Sequence, residues 1–139
     1  MPSRQKEDRM AFHDKIWVLV IEDVRDQAEL WSDICAEAGL NAVTASTGVQ
    51  GYQRALDSQP AIILLDLMLP DIDGWDVCRR LKTDGRTKHI PIVILTAREE
   101  PRGARRAIDA GCAAYLKKPC PPNELVATIR RVLREQQAV

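Results

Sequence analysis

Five short runs of apolar, largely β-branched residues recur along the chain, separated by longer segments in which apolar residues repeat at helical spacing. The runs are Ile16–Ile21, Asn41–Ala45, Ala61–Leu65, Ile90–Leu95 and Cys112–Leu116. A strand that helices cover on both faces is apolar at consecutive positions, and strands that alternate with helices form parallel sheets. The pattern therefore predicts an α/β domain built from five βα units.

The segments between and after these runs predict five helices. Their approximate extents are Ala28–Ala38, Val49–Leu56, Trp75–Leu81, Pro101–Ala110 and Asn123–Glu135. Gly39 and Gly111 follow the first and fourth helices, where glycine is favoured because it adopts the left-handed conformation without strain. Asp73 and Gly74 supply a turn and a start for the third helix. Each helix is thus bounded by residues that end or begin helices.

Residues 1–15 carry charges of both signs and few large apolar groups, and we interpret them as a tail or a short extra helix. Residues 16–139 are expected to form one domain, because a chain of 139 residues usually supports a single core. Nothing after the fifth helix could build an output domain, which favours a stand-alone unit. No signal peptide or membrane-spanning run of about 20 apolar residues is visible, so we expect a cytoplasmic protein with no membrane partner.

The formal net charge is zero, whereas general nucleic-acid binders need a basic excess, so the sequence predicts no direct DNA binding. The charges are unevenly distributed. The range 22–73 holds 10 acidic and 2 basic residues, and the range 98–139 holds 9 basic and 5 acidic residues. The range 22–73 is therefore acidic overall, and the range 98–139 is basic overall.

The cysteines and histidines indicate no metal site or disulfide framework. The four cysteines form no C-x-x-C pair and lack histidines at metal-ligand spacing, so we interpret them as reduced, mostly buried thiols. They are Cys35, Cys78, Cys112 and Cys120. His13 and His89 are better interpreted as surface residues than as phosphohistidine donors.

Polar side chains stand where the predicted strands end. Glu22 and Asp23 follow the first strand, Asp66 the third, Thr96 the fourth and Lys118 the fifth. In an open parallel sheet the carboxyl ends of the strands border the ligand site. Each residue alone also has a structural interpretation, as a helix cap, a loop charge or a β-branched strand end. Their joint position at strand ends favours a shared site.

A cluster of carboxylates is self-repelling unless a cation lies between them, and oxygen ligands suit Mg²⁺. An aspartate beside a metal and an ammonium can act as a nucleophile toward a phosphoryl group, because both cations neutralise charge on the phosphoryl oxygens. The sequence therefore predicts phosphoryl chemistry at this edge of the sheet.

Four segments closely resemble the receiver domains of bacterial two-component response regulators, in particular single-domain receivers of the chemotaxis type. The segments are Val18–Asp23, Leu64–Gly74, Ile94–Ala97 and Ala114–Pro119. The resemblance spans about Ile16 to Arg134 and implies a doubly wound, flavodoxin-like (βα)5 fold with strand order 2-1-3-4-5. It also implies a cis peptide between Lys118 and Pro119.

The resemblance implies a role for each residue at the predicted site. Asp66 corresponds to the phosphoacceptor, and Lys118 would pair with the acyl phosphate. Mg²⁺, or Mn²⁺ in its place, would be held by Asp23, Asp66 and the backbone carbonyl of Met68, with Glu22 acting through water. Such a domain is not a conventional enzyme, although it catalyses its own aspartyl phosphorylation and dephosphorylation.

Thr96 and Tyr115 resemble the pair that registers phosphorylation in this family, in which the hydroxyl moves toward phosphate and the ring turns inward. Two departures from the family are visible at the site. Glu22 stands where many members have aspartate, and the large Met68 and Arg98 flank the path of the attacking water.

The implied partners are a sensor histidine kinase or phosphotransfer protein, with a small acyl phosphate as a further donor, and a downstream protein target. Self-association through the fourth helix, fifth strand and fifth helix is the other expected output. Basic residues collect on that flank: Arg102, Arg105, Arg106, Lys117, Arg130, Arg131 and Arg134. The alternative interpretation is a pseudo-receiver, which keeps the fold as an interaction scaffold without phosphorylation.

Overall fold

The strands assemble into one parallel sheet in the order β2-β1-β3-β4-β5, as the resemblance implied. The computed structural model describes residues 16–137, so the predicted tail at 1–15 lies outside the described residues. The strands are β1 (Trp17–Ile21), β2 (Asn41–Ala45), β3 (Ile62–Leu65), β4 (Ile92–Thr96) and β5 (Ala114–Lys117). The reversal of strand order at β1 and β3 creates a crevice at the carboxyl edge of the sheet.

A helix follows each strand. The helices are α1 (Arg25–Glu37), α2 (Gly48–Ser58), α3 (Gly74–Thr83), α4 (Gly103–Asp109) and α5 (Pro122–Gln137). None of the helices within residues 16–137 is long and apolar enough to cross a membrane.

Successive strand residues point to opposite faces of the sheet and supply two separate cores. In β1, Leu19 and Ile21 pack with residues of α2, α3 and α4, whereas Val18 and Val20 pack with residues of α1 and α5. All four side chains are at most 1% exposed. Burial on both faces explains why the strands are continuously apolar in the sequence.

Several predicted boundaries differ from the structure by one to three residues, and two of these differences have a clear local cause. β4 begins at Ile92, not Ile90, because the N–H of Ile90 bonds to the carbonyl of Thr87 in a turn. α4 begins at Gly103, not Pro101, because Arg102 has a left-handed φ of 58° that interrupts helical backbone. Both differences arise from local turns that the apolar pattern does not reveal.

The amino end of α2 is fixed by two side chains, one local and one distant. Thr47 accepts a hydrogen bond from the N–H of Gln50, in a typical capping arrangement. Asp71, in the loop after β3, accepts hydrogen bonds from the N–H groups of Gly48 at 2.7 Å and Val49 at 2.9 Å. The loop that follows Asp66 is therefore tied to the neighbouring helix.

Candidate functional site

Four of the predicted site residues converge at the carboxyl edge of the sheet. The parallel register places the ends of β1, β3 and β4 side by side, and the N–H of Asp66 bonds to the carbonyl of Ile21 at 3.0 Å. The N–H of Lys118 bonds to the carbonyl of Thr96 at 2.9 Å. These backbone hydrogen bonds hold the residues that follow the strands side by side at the same edge of the sheet.

Asp66 is buried, with 7% of its surface exposed, and both carboxylate oxygens accept hydrogen bonds. Oδ1 accepts from the N–H of Met68 at 3.0 Å and from the hydroxyl of Thr96 at 2.9 Å. Oδ2 accepts from the ammonium of Lys118 at 2.9 Å. The carboxylate is thus held in one orientation by three donors.

These donors keep Asp66 ionised. Burial by itself would raise the pKa of Asp66, because a low-dielectric surrounding disfavours charge. The backbone N–H of Met68 and the ammonium of Lys118 outweigh that effect and hold the pKa below its ordinary value. An ionised, oriented carboxylate is the form that acts as a nucleophile.

Glu22 is still less exposed than Asp66, at 3%, and forms an ion pair with Lys118. Burial raises the pKa of Glu22 to about 7, and the nearby charge of Asp66 acts in the same direction, while Lys118 opposes both. Two carboxylates therefore share one ammonium, which leaves an excess of negative charge at the site whenever both are ionised.

Lys118 has a side chain that is 10% exposed, and its ammonium contacts Glu22, Gln27 and Asp66. The ring of Trp31 lies 6.0 Å from the ammonium, measured to the ring centroid. The peptide bond between Lys118 and Pro119 is cis, as the resemblance implied. Gln27 and Trp31 are contacts that the sequence pattern did not reveal, because both lie on α1 rather than at a strand end.

Asp23, which follows Glu22 at the end of β1, is exposed. It lines an open cavity of about 460 Å³ together with Met68, Asp73 and Arg98. Across residues 16–137, no three His, Cys, Asp or Glu side chains are already arranged to hold a metal ion. Glu22 and Asp66 both contact Lys118, and the convergence of Asp23 with them stays a prediction.

The chemistry of the donors nonetheless suits a hard cation. Asp23 and Asp66 supply carboxylate oxygens, and Met68 supplies a peptide carbonyl, which together form an all-oxygen set of the kind that Mg²⁺ prefers. The shared ammonium also leaves net negative charge at the site. Donor type and charge both fit a divalent cation.

Thr96 and Tyr115 occupy neighbouring strands but differ in their contacts. Thr96 is fully buried and its hydroxyl donates to Asp66. The ring of Tyr115 packs against Gly103, where an added Cβ would lie 2.5 Å from the hydroxyl oxygen. Among residues 16–137 no hydrogen-bond partner reaches this buried hydroxyl. The structure thus links Thr96, but not Tyr115, directly to Asp66.

A network of charged side chains borders the cavity that Asp23 lines. Arg98 bonds to Asp73 at 2.5 Å and to Glu100 at 3.2 Å. Glu100 also accepts from Arg106 at 2.5 Å and from the indole N–H of Trp75 at 3.1 Å. The guanidinium of Arg106 lies 4.6 Å from the centroid of the Trp75 ring. This network joins the loop after β4 to the amino end of α3.

Comparison with known proteins adds family information to this geometry. Residues 18–130 match the family model described as the response regulator receiver domain. Among solved structures, the signal receiver domain of a histidine kinase from Syntrophus aciditrophicus is 28% identical, with a TM-score of 0.78 over 86% of this chain and 90% of that one. A CheY-like receiver domain protein from Methanospirillum hungatei shares the fold, with a TM-score of 0.83 at 21% identity, over 89% of this chain and 98% of that one.

Longer regulators are similar in sequence. The DNA-binding dual master transcriptional regulator RpaA of Synechocystis is 37% identical over 88% of this chain and 51% of its own length. The DNA-binding response regulator MtrA of Mycolicibacterium paratuberculosis is 35% identical over 84% of this chain and 51% of its own length. The chain therefore spans about half the length of these relatives.

These relatives overturn one prediction. The expectation of no direct DNA binding rested on the zero net charge of the chain, yet RpaA and MtrA are both named as DNA-binding. The reasoning failed because charge was counted over 139 residues, whereas each relative is about twice as long as the matched region. Net charge of one domain does not exclude DNA binding for its relatives.

Proposed function

The chain belongs to the response-regulator receiver family of two-component systems, and from that premise we propose that Asp66 is its phosphoryl acceptor. The observation that carries the proposal is the set of contacts at the Asp66 carboxylate. It is buried, ionised and oriented by Thr96, Met68 and Lys118. Of the carboxylates at the strand ends, within the described residues, it alone accepts hydrogen bonds from both an ammonium and a hydroxyl group.

In the proposed step a carboxylate oxygen of Asp66 attacks phosphorus, and the bond between phosphorus and the donor's leaving group breaks. The product is an acyl phosphate, whose additional negative charge lies close to Lys118. The ammonium is therefore placed to pair with a phosphoryl oxygen, and the hydroxyl of Thr96 to donate to another. Both groups already contact the acceptor before the phosphoryl group arrives.

Asp23, Asp66 and the carbonyl of Met68 would hold Mg²⁺, or Mn²⁺ in its place, and Glu22 would act through water. When bound, the ion neutralises charge between the carboxylates and the phosphoryl oxygens. Glu22 supports Lys118 from the opposite side, since it pairs with the same ammonium as Asp66. A cytoplasmic location remains part of this proposal.

We include Thr96 and Tyr115 in the proposal as the residues that transmit phosphorylation. The hydroxyl of Thr96 can leave Asp66 for the phosphoryl group, and Tyr115 lies on the adjacent strand. The buried hydroxyl of Tyr115 has no hydrogen-bond partner among the described residues, and an unbonded buried polar group is costly. A movement of the ring that supplied a partner would therefore be favourable.

The test is incubation of the full chain with a small acyl phosphate and Mg²⁺, followed by intact mass. We expect the wild type to gain one phosphoryl group, and Asp66→Asn to gain none, because an amide is a far weaker nucleophile. Asp76→Asn is the matched control, since Asp76 is a partly exposed residue of α3 whose ion pair, among the described residues, is with Arg79.

A chelator added before the acyl phosphate should abolish the gain in mass. If Asp66→Asn gained phosphate at the wild-type rate, the assignment would be wrong. If the wild type itself gained none with Mg²⁺ present, the pseudo-receiver interpretation would replace the proposal.

A further inference from the structure

Two cysteines that are far apart in sequence meet on the side of the sheet covered by α3 and α4. Cys78 lies in α3 and Cys112 lies just before β5, and their Sγ atoms are 2.9 Å apart. Both are free thiols. A disulfide bond is about 2.05 Å long, so the two sulfur atoms need to approach by only about 0.9 Å.

We propose that Cys78 and Cys112 form a reversible intramolecular disulfide when the protein meets an oxidant of the peroxide class. The chain would then carry a redox modification site separate from the carboxyl edge of the sheet. The proposal does not depend on phosphorylation of Asp66.

The surroundings of the pair favour ionisation of one thiol, which is the reactive form of cysteine. The pKa of Cys78 is lowered, mainly because the Cys112 thiol donates to its sulfur and in part because of the charge of Lys82. By contrast, burial alone raises the pKa of Cys35 to about 11. The pair is therefore more easily ionised than an isolated buried thiol of the same protein.

Lys82 is held in place beside the pair. Its ammonium donates to the carbonyl of Lys88 at 3.0 Å and to that of Ile90 at 2.8 Å. A groove of about 380 Å³ between α3 and α4 is lined by Lys82 and Ala110 and is open to solvent. Cys112 is itself only partly buried, whereas Cys78 is fully buried. We therefore expect a small oxidant to approach the pair from the side of Cys112, which follows Ala110 by two residues.

The reaction balances with hydrogen peroxide as the oxidant. The Cys78 thiolate, which the Cys112 thiol and Lys82 stabilise, attacks a peroxide oxygen. The O–O bond breaks, the leaving hydroxide takes up the proton that Cys78 lost on ionisation and becomes water, and Cys78 becomes a sulfenic acid. The sulfur of Cys112 then attacks the sulfenic sulfur, the S–O bond breaks, and the hydroxyl group leaves as a second water with the Cys112 proton. The two thiols lose two electrons in total, and peroxide gains them.

The bond would connect residues 34 positions apart. It would join α3 to the segment between α4 and β5, so that the loop it closes contains β4 and α4. Tyr115 lies three residues beyond Cys112, in β5. Oxidation would thus restrain one end of the segment that carries Tyr115.

The test uses the full chain, reduced, freed of reductant and then exposed to hydrogen peroxide under native conditions. Remaining thiols are alkylated in denaturant, and the protein is analysed by intact mass and non-reducing peptide mapping. We expect two alkylated thiols instead of four, a mass lower by two hydrogens before alkylation, and a peptide pair linking Cys78 to Cys112. A reductant should restore all four thiols.

Cys78→Ser and Cys112→Ser should each leave three thiols and form no intramolecular link. Cys120→Ser is the matched control and should still form the link, since Cys120 lies on the opposite face of the sheet. The peptide map of the wild type shows whether Cys78 and Cys112 are linked even if a variant fails to fold. Four alkylated thiols after peroxide treatment, or a link that involves other cysteines or a second chain, would overturn the proposal.

Discussion

Lys118 is the residue on which the charge balance of the site depends. Glu22 and Asp66 both pair with its ammonium, and all three side chains are almost fully buried. One positive charge cannot neutralise two carboxylates, so the site favours either a proton or a second cation. Burial is the main cause of the raised pKa of Glu22, and the negative charge of Asp66 adds to it.

The first residue-scale prediction concerns pH and Glu22→Gln. The pKa of Glu22 is about 7 in the folded protein and 4.5 ordinarily, so the folded state binds the proton more tightly. The resulting stabilisation is complete below pH 4.5 and is lost as pH rises to about 7. At roughly 1.4 kcal/mol per pKa unit, the loss amounts to at most roughly 3 kcal/mol.

Glu22→Gln cannot titrate, so its free energy of unfolding should lack this decline. The measurement is urea unfolding across this pH range in the presence of a chelator, for the wild type and the variant. Glu29→Gln is the control, because Glu29 is exposed and, within residues 16–137, pairs only with Arg25. Equal pH slopes for the wild type and Glu22→Gln would contradict the prediction.

The sequence could predict residue positions at the site better than side-chain contacts. Asp66, Thr96 and Lys118 were predictable as neighbours because each stands at a strand end, and parallel strands bring those ends together. The pairing of Glu22 with Lys118 and the exposure of Asp23 depend on rotamers, which spacing does not determine. The network around Glu100 was missed because its members belong to loops and helices of different sequence regions.

At the scale of elements, α2 depends on a side chain from another part of the fold. Asp71→Ala removes two hydrogen bonds, from the N–H groups of Gly48 and Val49, and leaves these donors at the helix end without their carboxylate. We expect the free energy of unfolding to fall by about 1–2 kcal/mol, the cost of losing a good cap. Denaturant unfolding at neutral pH measures this difference.

Asp57→Ala is the matched control for Asp71→Ala. Asp57 lies near the other end of α2 and is exposed, and in the part of the chain that the structure describes its side chain bonds only to Gln53. Its loss should therefore change stability little. An equal loss of stability in the two variants would show that Asp71 contributes nothing beyond its charge.

The helices and strands themselves were predictable because burial on both faces makes each strand continuously apolar. The residues at which the helices and strands begin and end were less predictable. The start of α4 depends on the left-handed backbone of Arg102, a residue type that rarely adopts it, and no local pattern signals that conformation. The late start of β4 follows from a turn that ends at Ile90, where an apolar side chain extends the apparent strand.

At the scale of the whole molecule, the proposed switch would connect the phosphoryl site to the flank formed by α4 and β5 through Thr96 and Tyr115. A ligand shifts such a structure only if it binds one state better than the other. We predict that beryllofluoride with Mg²⁺, a mimic of the acyl phosphate, changes amide hydrogen exchange at Asp66, at β5 and in α4. Exchange measured with and without the mimic tests this.

Asp66→Asn is the control for the exchange experiment, because it should not bind the mimic and should show no change. If the wild type changed only around Asp66, the role of Thr96 and Tyr115 in transmission would be refuted. The domain would then be a phosphoryl carrier without a switched surface.

The contacts of the indole rings also have an optical consequence. Trp31 lies beside Lys118, and Trp75 is held between Glu100 and Arg106, whereas Trp17 is 44% exposed. The fluorescence emission of an indole ring depends on nearby charge and solvent, so the emission of each tryptophan reports on a different region of the protein. Replacing Trp17 and either of the other two by Phe leaves one fluorophore, which would report separately on events at the carboxylates and in the loop after β4, in real time and without a label.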